Sequence, residues 1–204
     1  DIKLFSVPLS VLAIFVLKQY ECARSSVVCK VANGDVVIDG GACWVDSSLY
    51  FAREVGRTGK VYSFEFLPVN LEIARRNAQA NPHLSDRIEI IEKPLWDVSG
   101  CPLYYTEDGP ATRVTMEPPH SECGTVTTLS LDDFVAKHGV EKVDFIKMDI
   151  EGAEVNALHG AAGTIQRFRP KLAISVYHNL SDFAEIPLFL DSLGAGYDFY
   201  LDHY

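Results

Sequence analysis

The sequence predicts an α/β domain: a mostly parallel sheet with helices on both faces. Two observations carry this. Short apolar runs alternate with stretches of helical periodicity along most of the chain. The run over 143–149 is apolar apart from its charged residues, as in a central strand, while 60–66 alternates as a strand does.

Taken in order, Val7 to Leu17 is apolar apart from Pro8 and Ser10, and predicts a buried helix over 8–20. Eleven residues fall short of the roughly 20 that span a bilayer. The chain begins at Asp1, without an initiating Met or a basic start, which reads as a trimmed or processed N-terminus. Val36-Val37-Ile38 predicts the first buried strand, followed by a Gly-rich turn and a helix over 47–55. A strand over 60–66 leads into a helix that opens on Pro68 and ends before Asn81-Pro82. Strands over 87–92, 143–149 and 171–177 follow, with helices over 152–168 and 181–193 and a last strand over 197–204. Pro and Gly crowd the segment 100–128, which predicts an inserted β-hairpin arm. Ser130-Leu-Asp-Asp133 predicts a capping box on a short helix ending at Gly139.

Composition limits function. The chain has 204 residues, 48% hydrophobic and 23% charged, with a net charge of -10. That suits one globular domain, with residues 1–26 as a helical segment packed on a core of 27–204. The acidic balance argues against a generic nucleic-acid or anionic-membrane binder. Five scattered cysteines without a C-x-x-C read as reduced residues of a cytoplasmic protein.

Three groups of residues carry chemistry. Asp39, Gly40, Gly41 and Ala42, with Cys43, close the first strand, where doubly wound sheets bind ligands. Glu65, with Phe66 beside it, ends the next strand, where a carboxylate accepts hydrogen bonds from ribose hydroxyls. No G-x-G-x-x-G or Lys-Ser/Thr phosphate loop follows, which disfavours a nicotinamide oxidoreductase and suits a nucleoside without phosphates. Trp96 and Asp97 follow the third strand, where an adenine would lie. Lys147 and Asp149 interrupt an apolar strand two residues apart, so they share a face. Glu151 and Glu154 open the next helix, and His178 follows the strand after it. Asp149, Glu151 and His178 are the candidates for a base, with Lys147 orienting Asp149 or holding an acceptor oxygen. A divalent cation on Asp149, Glu151 and His178 is a further use of these groups. Nothing in the spacing demands it, and no metal is assigned.

Val-Ile-Asp39-Gly-Gly-Ala42, Val61-Tyr-Ser-Phe-Glu65, Leu131-Asp132, the run from Asp144 to Glu154, Leu158-His-Gly-Ala161 and Arg169-Pro170 resemble the FkbM family of methyltransferases. The resemblance implies a Rossmann-like class I methyltransferase sheet of seven strands, S-adenosyl-L-methionine as cofactor, and O-methylation of a small-molecule, sugar or polyketide-like acceptor. It places the cofactor on Asp39 to Cys43, Glu65, Phe66, Trp96, Asp97 and Asp149. Two positions depart from the family pattern: Cys43 stands where Asn is usual and Val45 where Gly is usual. The resemblance also implies a final antiparallel strand, yet the chain stops at Tyr204. Either the chain is cut short or the sheet is completed differently. Cys43 and Val45 favour a second reading, a fold-retaining domain with weak or no cofactor binding that acts through protein contacts. The oligomeric state is not encoded legibly.

Overall fold

A computed structural model describes residues 1–24, 27–120 and 122–203, with the side chain of residue 24 left out. Ten strands are described. β1 (Cys22–Arg24) and β2 (Val27–Cys29) form an antiparallel hairpin across the expected 26/27 boundary. β3 (Val36–Gly40), β4 (Lys60–Phe64), β5 (Ile88–Ile91), β9 (Phe145–Met148) and β10 (Lys171–Ile174) make the central sheet in the order β10-β9-β3-β4-β5. All four pairings are parallel. The alternation of strand and helix therefore predicts the sheet correctly. The sheet has five strands rather than seven, and no antiparallel strand joins it among the described residues. The expected strand over 197–204 is irregular as far as residue 203, and Tyr204 lies outside the described residues.

Both faces of the sheet are buried because neighbouring residues of one strand point opposite ways. Val37 and Phe145 face one apolar layer with Leu49, Phe51 and Val61. Ile38, Ile146 and Met148 face the other with Phe134, Leu158 and Ile165. Helix α2 (Asp46–Glu54) carries Leu49 and Phe51 to the first layer; α5 (Leu131–Lys137) carries Phe134 to the second. Ser130 caps α5 as expected, its Oγ accepting from Asp133 N at 3.3 Å.

Three expectations are corrected, two of helices and one of the arm. The first helix is an α turn, α1 (Pro8–Val11), that continues as a π-helix over Leu12–Leu17 and ends at Lys18 in the left-handed region, φ 55°. Only Ile14 is buried, and Leu9 is 72% exposed. Its inner side is divided: Ile14 and Phe15 pack on core, while Leu9, Ala13 and Leu17 border a cavity. The helix expected over 152–168 is two, α6 (Glu154–His159) and α7 (Ala162–Phe168). At the break, a Cβ on Gly160 would stand 2.0 Å from the Trp96 carbonyl oxygen, so the backbones meet directly. Asp132 then starts α7, accepting from Thr164 N at 2.7 Å and Gly163 N at 2.9 Å. The inserted arm is a three-stranded antiparallel sheet, not a hairpin: β6 (Pro102–Tyr105) lies between β7 (Val114–Thr115) and β8 (Gly124–Thr127).

The N-terminal segment is tied down by two asparagines of α3 (Pro68–Ala80) and its end. Asn77 accepts from Phe5 N at 2.6 Å and donates to Phe5 O and Trp44 O. Asn81 accepts from Lys3 N at 2.8 Å and donates to Lys3 O and Asn77 O. Both side chains are fully buried. Asn77→Ala orphans three backbone groups at an expected cost of about 1–3 kcal/mol. Hydrogen exchange at Phe5 and limited proteolysis before Pro8 should both accelerate while the sheet amides stay protected.

A candidate active site at the strand tips

The carboxyl ends of β3, β4 and β9 open onto a cavity of about 480 Å³. That volume is ordinary for a small-molecule site, where roughly 300–1,000 Å³ is usual. Its walls include Gly41, Cys43, Trp44, Glu65, Phe66, Lys147, Asp149 and Glu151. The N-terminal helix closes one side through Ala13, Ile14 and Leu17, and the arm approaches through Pro110, Thr112 and Val114. Gly40, Ala42 and Asp97 do not line it. Trp96 does not either: its ring is buried with Leu103 and Ala153, and it borders a separate hollow. The chain after β5 lines the cavity through Lys93, Pro94 and Leu95, but the Trp96 and Asp97 that follow are not brought to it.

The register of three strands sets the floor. Asp39 stands opposite Ser63 on one side and Lys147 on the other. Lys147 is 2% exposed, with Nζ 3.1 Å from Asp39 Oδ1. It donates to the carbonyls of Gly40 at 3.0 Å and Gly41 at 2.7 Å. Burial opposes its charge, but Asp39 and Asp149 outweigh that and hold its pKa above the usual lysine value. Asp39 Oδ2 accepts from Ser47 Oγ at 2.7 Å and Ser48 Oγ at 2.6 Å. Lys147 and Asp39 therefore hold the glycine turn, and the ammonium is already committed to groups beneath the cavity.

The turn itself is tight. Gly41 has φ 75°, and a Cβ there would lie 2.0 Å from Asp149 O. Cys43 (φ 49°) and Val45 (φ 56°) are also left-handed. For a β-branched residue this is a strained conformation, worth on the order of 1–3 kcal/mol. Val45 tolerates it with its side chain fully buried among Leu49, Phe51 and Val61, away from the cavity. The cavity is therefore not plugged by Val45. Cys43 does reach the wall; burial, then Asp46 and Glu65, raise its pKa and keep the thiol protonated.

Glu65, just after β4, lines the cavity. Oε1 accepts from the backbone N–H of Phe66 at 2.6 Å and of Leu67 at 2.8 Å, while Oε2 takes only a 3.2 Å bond from Asn70 Nδ2. Burial raises its pKa against these bonds. Acceptor capacity remains on Oε2 toward the cavity it lines.

Asp149 is held by two tyrosines that sequence reading misses. Tyr20 donates to Oδ2 and Tyr177 to Oδ1, each at 2.9 Å. Desolvation works against its charge, but Lys147 and these hydroxyls win and lower its pKa. Tyr20 lies 129 residues away in sequence, so no local pattern marks it. His178, its side chain 3% exposed, sits among three carboxylates. Nε2 is 3.6 Å from Asp149 Oδ1 and 3.4 Å from Glu151 Oε2; Nδ1 is 2.9 Å from Glu154 Oε1. Burial opposes its charge, yet Glu151 and Glu154 raise its pKa to about 10. A histidine charged at neutral pH has no lone pair with which to act as a base.

This raised pKa has a consequence for stability. The contribution is fully present below the ordinary value of 6.5 and is lost as pH rises through about 10. In metal-free buffer the urea-midpoint gap between the wild type and His178→Gln should shrink steadily between those limits. A gap independent of pH would contradict the arrangement.

No curated protein sequence matches the chain. Among solved structures, the methyltransferase FkbM from Methylobacillus flagellatus superposes with a TM-score of 0.63 at 22% identity, over 80% of this chain and 38% of that one. A precorrin-6y C5,15-methyltransferase from Geobacter metallireducens gives 0.50 at 10% identity, over 81% and 66% of the respective chains. A SAM-dependent O-methyltransferase from Thermotoga maritima gives 0.50 at 16% identity, over 93% and 51%. The chain thus spans 38% of the first structure's length, and these likenesses speak to the shared fold. No described helix is long and apolar enough to cross a membrane. The family model for the methyltransferase FkbM domain matches residues 29–199, and the chain belongs to that family.

Proposed function

We propose that this chain binds S-adenosyl-L-methionine in the cavity at the strand tips and transfers its methyl group to a hydroxyl of a small-molecule or glycan acceptor. The observation that carries the reading is the convergence of Gly41, Glu65 and Asp149 on one cavity of about 480 Å³. The cofactor, when bound, supplies an electrophilic methyl on a sulfonium.

The residues fit that group. Glu65 Oε2 offers acceptor capacity to two ribose hydroxyls, and the buried setting strengthens such bonds. Gly41 lets the turn press against the end of β9, and Cys43 and Trp44 form the wall beside it. The ionised Asp149 compensates a cation in its vicinity. Methyl transfer is an in-line displacement, and alignment alone supplies roughly 7–11 kcal/mol of such a barrier. The arm residues Pro110 and Thr112 and the helix residues Leu9 and Ala13 exclude water and shape the acceptor side. Asp149 and Glu151 are the carboxylates placed to accept the hydroxyl proton. Lys147 positions the glycine turn.

Calorimetry with S-adenosylhomocysteine tests this. Wild type should bind one equivalent. Glu65→Gln exchanges a charged acceptor for a neutral one and should weaken binding by about 1.5–3 kcal/mol, roughly 10- to 150-fold. Absence of binding at millimolar ligand would instead leave the fold-retaining domain that acts through protein contacts.

A further inference from the structure

We infer that His178, Asp149 and Glu151 form a divalent-cation site at the acceptor side of the cavity, with Glu154 orienting the imidazole. Its role rests on the methyltransferase reading; its existence does not.

Two segments meet here: the connection from β9 to α6, with Asp149, Glu151 and at its end Glu154, and the chain after β10, with His178. Donors bonded at about 2.1 Å to one ion stand roughly 3.0–3.4 Å apart in octahedral or tetrahedral geometry. His178 Nε2 already lies 3.4 Å from Glu151 Oε2 and 3.6 Å from Asp149 Oδ1. Asp149 and Glu151 thus both flank Nε2, and closing onto an ion draws the two carboxylates inward. Behind the ring, Nδ1 stands 2.9 Å from Glu154 Oε1, the carboxylate–imidazole pairing that fixes a ligating histidine. Donor atoms of Asp149, Glu154 and His178 all lie within 4.8 Å of one another.

A second observation points the same way. His178 Nε2 and Glu154 Oε2 are buried without a hydrogen-bond partner among the described residues. The His178 side chain is 3% exposed, and its Nε2 faces Asp149 and Glu151. Buried polar groups are normally satisfied, and an orphaned ring nitrogen facing two carboxylates is what a cation completes. Three carboxylates against one imidazole leave net negative charge there, since Lys147 is committed to Asp39 and the glycine turn.

The ion takes the Nε2 lone pair as it displaces the imidazolium proton to solvent, and one nitrogen with two carboxylate donors favours Mn²⁺ or Zn²⁺ over Ca²⁺ or Mg²⁺. Asp149 and Glu151 also line the cavity, so an ion between them faces the acceptor. It would anchor an acceptor hydroxyl oxygen beside the methyl group, a demand that an acceptor without a free hydroxyl cannot meet.

The test uses tag-free full chain, stripped with EDTA and titrated with Mn²⁺ or Zn²⁺ by calorimetry and by the Mn²⁺ paramagnetic resonance signal. One tight equivalent is expected. His178→Gln and Glu151→Gln should each abolish it, and Glu154→Gln should weaken it roughly 10- to 100-fold. Glu151 lies at the rim, 26% exposed, so its variant keeps the assay decisive if His178→Gln unfolds. No binding at millimolar ion, or binding unchanged in a folded Glu151→Gln variant, would overturn the site. S-adenosylhomocysteine binding is measured on the same stripped sample. Cofactor binding without metal binding sinks this inference alone; metal binding without cofactor binding sinks the methyltransferase reading alone.

Discussion

Lys147→Met is expected to destabilise the fold by about 3–5 kcal/mol, the cost of leaving one partner of a buried ion pair uncompensated. Asp39 would then be a carboxylate at the centre of the sheet, with Oδ1 facing no cation. The carbonyls of Gly40 and Gly41 would lose their donor in the same step. Few single changes in this chain combine a stranded charge with two orphaned backbone acceptors. Urea denaturation of the single variants and of Asp39→Asn/Lys147→Met provides the check. The double variant should be less destabilised than the sum of its parts, because removing both charges removes the stranded one. Strict additivity would show that the pair does not interact.

Gly41→Ala is expected to lose cofactor binding and to destabilise the chain by about 2–5 kcal/mol. A left-handed φ costs an L residue roughly 1–2 kcal/mol, and overpacking costs typically 1–3 kcal/mol more. The new Cβ would stand 2.0 Å from the Asp149 carbonyl oxygen. Backbone cannot swing aside as a side chain can, so the turn must part from β9. That movement separates Asp149 from Glu65 across the cavity. Thermal denaturation reads the stability, and S-adenosylhomocysteine calorimetry reads the site. Normal binding in a folded Gly41→Ala protein would show that the cavity does not need the close approach.

Much of the sheet was legible because short apolar or alternating runs are separated by helical periodicity, the pattern of strands joined by helical crossovers. Asp39, Glu65 and Asp149 were legible as well, since each is a polar residue at or beside the carboxyl end of such a run. The corrections share one cause: each depends on a partner far away in sequence. An apolar helix at 8–20 reads as buried, but part of what lies under it is a hollow that only the assembled strand tips create. Gly160 reads as an interior helical residue until the Trp96 backbone is brought against it. Trp96 reads as an adenine platform until its ring is buried with Ala153. Asn77 and Asn81 read as a helix end, although they grip Phe5 and Lys3 more than 70 residues away.

By itself, then, the sequence determined the strand–helix alternation, the acidic and glycine residues at the strand tips, and the family resemblance, all carried by local pattern. Tertiary structure decided which of those residues share a cavity, that Lys147 is occupied beneath it, and that three carboxylates surround His178. Hydrophobic periodicity is a property of neighbours along the chain, whereas charge pairing and cavity shape arise only where distant segments are packed together.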